Sequence, residues 1–307
     1  AILAEGHAMS GSRYLAEMLA PHFDTFRPDA CLASQGERDS RGVPLCYTGA
    51  KGSLQVRLHA HGGAYPLPAG TASILRNPLW RLTWALASIK GDDEDIRIAG
   101  FYDSVEGPTR AENAQLRRIS IDETGRLAAW QSNEFLFGMS GAALVRAEST
   151  LPTCNLSVLT CDPVGDLALL PSAATAMLDF QLVPAQHPDG ILALLEAHLA
   201  ERGFADISIE RLPGSYPPAH TTQDVPFIQQ VAVAGAAVYG SPLSTMPAGP
   251  FTLPLQIFTD RFGAPVASIG LCRPDSAIHG PDERVPVDDL VRHAQLLAEI
   301  LSAFARS

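Results

Sequence analysis

Positive charge is scarce in this chain of 307 residues: 22 basic side chains face 33 acidic ones, the formal net charge is −11, and Lys51 and Lys90 are its lysines. With no basic run of five or more residues, the sequence lacks the electrostatic footprint of a nucleic-acid binder. Long apolar runs are missing as well. None approaches the roughly 20 residues needed to cross a bilayer, and no basic segment leads into an apolar one at the start. A cytoplasmic protein, neither exported nor membrane-bound, is expected. The five cysteines include no Cys-x-x-Cys pair and have no histidine at zinc-finger spacing, which argues against a disulfide framework or a structural zinc site. They are expected as small buried side chains in a reducing compartment. Catalytic signatures are absent too. Gly11-Ser12 is not a Gly-x-Ser-x-Gly elbow, Gly138-Met139-Ser140-Gly141 misses it by a residue, and neither a Gly-x-Gly-x-x-Gly after a strand nor a phosphate loop occurs.

What is present is a hydrophobic content of 46% in a length sufficient for two domains, with prolines and glycines dispersed so that no segment reads as a linker. The opening residues read as a buried strand running into a turn, so the chain starts mid-strand. Apolar spacing predicts a helix over 13–20 and a short strand over 30–34, the rhythm of a parallel α/β sheet. Alternation predicts a strand over 54–59, and Asn77 as N-cap with Pro78 at the first position predicts a helix over 78–89. Strands follow at 96–101, 173–183 and 207–212, with a helix at 191–200. This middle block reads as an antiparallel α+β unit. Beyond Pro217-Pro218 the α/β rhythm returns, with helices at 227–239 and 254–262, a buried strand at 265–271 and a long amphipathic helix at 287–306. The predicted organisation is therefore an α/β sheet domain, residues 1–47 and 217–307, interrupted by an inserted α+β domain, residues 48–216.

The densest polar cluster is the loop 275–283, which places His279 among Asp275, Asp282 and Glu283 just after a predicted strand. Such loops line the ligand crevice of α/β sheets, so His279 could bind a metal or move a proton, or the loop could simply be solvated. His59 and His61, two apart on a strand, share a face and could share a metal, yet no third ligand is evident nearby. His7 beside Glu5 is a weaker candidate of the same kind.

Several segments taken in order resemble a known family: Lys51-Gly52, Asn77-Pro78 with Trp80-Arg81-Leu82, Gly100-Phe101-Tyr102-Asp103-Ser104-Val105, Pro152-Thr153-Cys154-Asn155, Leu170-Pro171-Ser172-Ala173, Leu182-Val183-Pro184, and His279-x-Pro281-x-Glu283. The set is similar to the dinuclear zinc dipeptidases and deacylases, the family of carnosinase, aminoacylase, glutamate carboxypeptidase and succinyl-diaminopimelate desuccinylase, and the Gly-Phe-Tyr-Asp block points to its dipeptidase branch. The resemblance implies a catalytic α/β domain with two zinc ions and an inserted lid domain through which subunits dimerise. It puts His279 on the C-terminal zinc-binding histidine, His59 on the lid histidine that steadies the oxyanion, and Asn155 on the lid asparagine.

The departures are as informative. The family's Glu-Glu pair before x-Gly-Ser, general base and zinc ligand, stands here as Ala8 and Met9. The aspartate ligand following a serine appears as Gln35, a neutral amide. The glycine-rich loop that holds a substrate carboxylate aligns with residues 250–254, where Thr252 keeps a hydroxyl but Pro250, Phe251 and Leu253 replace the glycines. The family's His-x-Asp motif and bridging aspartate belong upstream of Ala1. One clear ligand, His279, remains of the roughly five a two-zinc site needs. The expectation is a degenerate homologue, non-catalytic and without stoichiometric zinc, serving as a binding or partner subunit for a peptide or amino-acid-like small molecule. It would act as a homodimer through the lid, or as a heteromer with a chain supplying the N-terminal half. The alternative is an active amide hydrolase whose missing ligands come from such a segment or chain.

Overall fold

Asn77 starts its helix as its sequence predicts: Oδ1 accepts from the backbone N–H of Leu79 at 2.8 Å and of Trp80 at 3.4 Å, and Pro78–Ile89 follows. Leu82, Ala85 and Ile89, spaced at three and four residues, form its buried face. A computed structural model describes residues 2–4, 6, 11–163, 165 and 168–306. The chain divides into two units, one made of Ala1–Leu15, Gly52–Val105 and Pro152–Pro217, the other of Ala16–Lys51, Glu106–Leu151 and Pro218–Ser307.

In the first unit the strand Gly49–His61, from Gly52 onward, pairs antiparallel with Ala173–Leu182 on one side and Ser208–Arg211 on the other. Thr153–Asp162 adds an antiparallel edge strand beyond Ala173–Leu182. Burial alternates residue by residue along Ala173–Leu182, so Ala174, Ala176, Leu178, Phe180 and Leu182 all enter one core. That core is closed by Pro78–Ile89 and by Ile191, Leu195 and Leu199 of the helix Pro188–Glu201. The predicted strand at 96–101 is a turn instead. Gly100 takes φ +78° and Phe101 N–H donates to the Ile98 carbonyl at 3.1 Å. Its apolar residues Ile96, Ile98 and Phe101 are buried in the same core, so the hydrophobic signal reported burial and not extension. The Thr153–Asp162 strand went unread because most of its side chains are exposed.

In the second unit four strands lie in the order Cys31–Ala33, Val266–Ile269, Leu45–Tyr47, Ser244–Met246. The two outer pairs are parallel and the middle pair antiparallel, so the sheet is mixed where the sequence rhythm suggested a parallel one. Successive residues of Leu45–Tyr47 point to opposite faces. Cys46 joins Phe227, Ile228, Val231, Leu296 and Ile300 from the helices Pro226–Tyr239 and Val287–Phe304. Leu45 and Tyr47 join Leu116, Leu144 and Val145 from Arg110–Leu116 and Gly141–Thr150. Residues 106–151 therefore group with this unit and not with the insertion expected over 48–216, because their apolar faces are buried on Leu45, Tyr47 and Met246. Among the described residues no helix is long and apolar enough to cross a membrane.

Candidate functional site

Beyond the carboxyl end of Cys31–Ala33 the chain runs on through Ser34 and Gln35 to a bend at Gly36. The Gln35 N–H donates to Ser268 Oγ at 3.0 Å and the Ser268 hydroxyl donates to the Gln35 carbonyl at 2.8 Å. Gly36 takes φ +115°, and a Cβ there would lie 2.1 Å from the Tyr47 ring, so the bend admits only glycine. Its carbonyl accepts from both Leu271 N–H and Cys272 N–H at 3.0 Å, which anchors the segment leading to His279. His279 itself is exposed on a loop at φ +63°, its N–H donating to Glu283 Oε2 at 3.3 Å. Thr252 ends the strand Gly249–Thr252, half-buried and in register with Lys51.

Next to this bend lies a buried charge cluster. Arg126, 2% exposed, donates through Nε and Nη2 to Glu37 Oε2 at 2.9 and 2.7 Å and through Nη1 to Glu148 Oε1 at 2.6 Å. Burial holds the Glu148 carboxyl above its ordinary value, with Arg126 pulling the other way. Burial also pushes Lys51 down to about 8, against the pull of Glu148, and its Nζ donates to the Leu151 carbonyl at 2.8 Å. Asp289 pairs with Arg273 and Arg38, and its carboxyl is held low chiefly by the Arg273 hydrogen bond. One helical turn on, His293 Nε2 lies 3.0 Å from Ser34 Oγ, with the imidazole held below its ordinary value by burial and by Arg38.

In the first unit His59 and Asn155 occupy the sheet. The His59 Nε2 lies 3.2 Å from Glu210 Oε2, which also accepts from Arg57 at 2.8 Å, and Nδ1 lies 3.3 Å from Thr175 Oγ1. The His59 and His61 rings are near-parallel with centroids 6.4 Å apart, as their shared face requires. Asn155 is exposed, directly across from Asp179, whose carboxyl is raised by burial despite amide hydrogen bonds from Gln181 and Gln55.

Ala8 and Met9 lie outside the described residues, as does His7. Among the described residues no group of three or more His, Cys, Asp or Glu side chains is placed to hold a metal. Of the positions the resemblance assigns to zinc, Gln35 offers an amide and His279 one imidazole, and these donors do not fit a dinuclear zinc centre. Sequence reasoning also missed the Arg126 cluster and the Ser34–His293 contact. Their partners lie 22, 89 and 259 positions apart, so no local spacing could signal them.

These two units and this site define a member of peptidase family M20/M25/M40, whose family model matches residues 4–303; the chain belongs to that family. Its fold is the family's, α/β with catalytic and lid domains. The chain is similar to an M20 family metallo-carboxypeptidase, Sso-CP2, from Sulfolobus solfataricus, with 27% identity and a TM-score of 0.90 over 98% of this chain and 69% of that one. It is similar in fold to the dipeptidase Dug1p from Saccharomyces cerevisiae, with 18% identity, a TM-score of 0.88 and 99% of this chain covered. Human carnosine dipeptidase 1 gives 20% identity, a TM-score of 0.84 and 99% coverage. The chain spans 65% of the length of each of these two dipeptidases. No curated protein matches the sequence.

Proposed function

We propose that this chain is a binding member of the peptidase family, which holds a peptide or amino-acid-like ligand and does not hydrolyse it by dinuclear zinc chemistry. The unit with His59 and Asn155 is its lid-type domain and the other its catalytic-type domain. The observation that carries the reading is the donor set beyond the strand Cys31–Ala33. Gln35 presents a neutral amide where the family resemblance puts a carboxylate, its backbone is engaged by Ser268, and among the described residues His279 is the one imidazole the resemblance assigns to zinc. A dinuclear zinc pair needs anionic or imidazole donors that converge, and a neutral amide at Gln35 binds zinc poorly. His59 and Asn155 remain as ligand contacts by resemblance, with Thr252 as a third, and the working form is a homodimer through the lid-type domain.

The test is elemental analysis and calorimetry on the purified protein after exposure to zinc, followed by a panel of dipeptides and N-acyl amino acids. Substoichiometric zinc, a saturable heat with one ligand class and no released amino acid are expected. Two retained zinc ions together with hydrolysis that disappears in His279→Ala would overturn the reading. That result would instead establish an active metal-dependent peptidase whose further ligands come from a preceding segment or a second chain.

A further inference from the structure

We propose that Ser34 and His293 form a nucleophile–base pair that takes an acyl group from an ester, a chemistry that needs no metal and lies beyond the binding role. Ser34 follows the strand Cys31–Ala33, which pairs in parallel with Val266–Ile269, and it is exposed there. The space beyond the carboxyl ends of such strands is where α/β sheets take ligands. Past Ser34 the chain keeps to the same neighbour, Glu37 bridging in parallel to Cys272 in the register of Ala33 and Ser268, so Ser34 stands exposed just past the end of the paired strand. His293, 4% exposed, comes from the inward face of the helix Val287–Phe304, and its Nε2 lies 3.0 Å from Ser34 Oγ, inside the reach a general base needs.

Two other hydroxyl–imidazole contacts in the protein show what a merely structural version looks like. Ser88 Oγ also donates to the Ala85 carbonyl at 2.7 Å while touching His198. His59 contacts Thr175 through one nitrogen and is tied to Glu210 through the other. Among the described residues Ser34 shows no second partner to share its hydroxyl, and the other His293 nitrogen, Nδ1, is buried without a hydrogen bond. A buried polar atom left unpaired calls for a reason, and a catalytic role is one. Burial and Arg38 hold the imidazole below its ordinary value, and in the tautomer with its proton on Nδ1 the Nε2 lone pair faces the serine hydroxyl.

In the step itself Ser34 Oγ attacks the ester carbonyl carbon as its proton passes to His293 Nε2. The carbonyl re-forms, the bond to the alkoxy oxygen breaks, and the leaving alcohol takes the proton from Nε2. Water then repeats the sequence on acyl-Ser34, releasing a carboxylic acid and the free hydroxyl.

The test treats the full chain with a fluorophosphonate and, separately, with p-nitrophenyl acetate, and maps adducts by mass spectrometry. A phosphonyl and an acetyl adduct on Ser34 are expected, both lost in Ser34→Ala and formed about 10²-fold more slowly in His293→Gln, the scale of a general base. Wild-type protein without an adduct at Ser34 would overturn the proposal, and so would folded His293→Gln that labels as fast as wild type. Because His293 is buried, Ser34→Cys provides a variant at an exposed position. Its thiol should be alkylated by iodoacetamide faster than the same thiol in the urea-unfolded chain, and an equal or slower rate also refutes the pairing.

Discussion

Replacing Arg126 by Met tests the electrostatics of the second unit most directly. Methionine keeps much of the aliphatic stem, which packs with the guanidinium 5.7 Å from the Trp130 ring. It removes three hydrogen bonds and the one cation between Glu37 and Glu148, whose side chains are only 15% and 18% exposed. Breaking a buried pair by deleting one partner costs about 3–5 kcal/mol, because the carboxylates left behind keep little water and only Lys51, acting on Glu148, as a counter-charge. With a urea slope of roughly 2 kcal/mol/M, the midpoint of the transition should fall by about 1.5–2.5 M. The pH dependence has a definite sign. Burial already holds the Glu148 carboxyl above its ordinary value of 4.5 and Arg126 opposes that. Without Arg126 the folded state holds a proton that the unfolded chain has released. Stability then rises as pH falls, and the deficit measured near pH 8 should shrink by about pH 5. A midpoint shift corresponding to less than about 1 kcal/mol, or a deficit that grows on acidification, would refute the claim that this cluster is held by its central charge.

Four further outcomes follow from single contacts. Asn77→Ala removes the two hydrogen bonds that cap Pro78–Ile89 and should lower stability by about 1 kcal/mol in thermal or urea unfolding. Gly36→Ala forces a Cβ into the Tyr47 ring at a positive φ, so it should destabilise by several times more than Gly42→Ala, where φ is also positive but nothing lies within 4 Å. Leu58→Ala empties a fully buried position in the first unit's core and should cost about 2–5 kcal/mol by equilibrium unfolding. His198 and His293 are both held below the ordinary histidine value of 6.5, chiefly by burial, so the folded state binds fewer protons than the unfolded chain just below that pH. Stability should therefore decline as pH falls through about 6.5, and proton uptake should accompany unfolding there.

Elements whose signal is local were legible in the sequence. The Asn77-Pro78 start, the left-handed Gly240 at φ +74° that ends Pro226–Tyr239, and the amphipathic helix Val287–Phe304 each carry their own boundary chemistry. Elements whose apolar pattern serves another purpose were misread. Ile96, Ile98 and Phe101 fill a core from a turn, and Thr153–Asp162 is a strand with little buried to mark it. The candidate site divides the same way. His279 could be picked out by its acidic surroundings, while the zinc roles of His279 and Gln35 came only through family resemblance.

The sequence by itself determined the α/β character, the family motifs and the residue types at the site, because residue identity and local spacing are carried by the chain before it folds. Only the tertiary structure decided that residues 106–151 pack on the sheet of Leu45–Tyr47, that one guanidinium sits between carboxylates from distant segments, and that Ser34 meets His293. Those contacts are made across strands and helices far apart in the chain, and no periodicity encodes them. They exist because burying apolar faces in the two cores brings those segments together, and the polar groups carried along must then find partners.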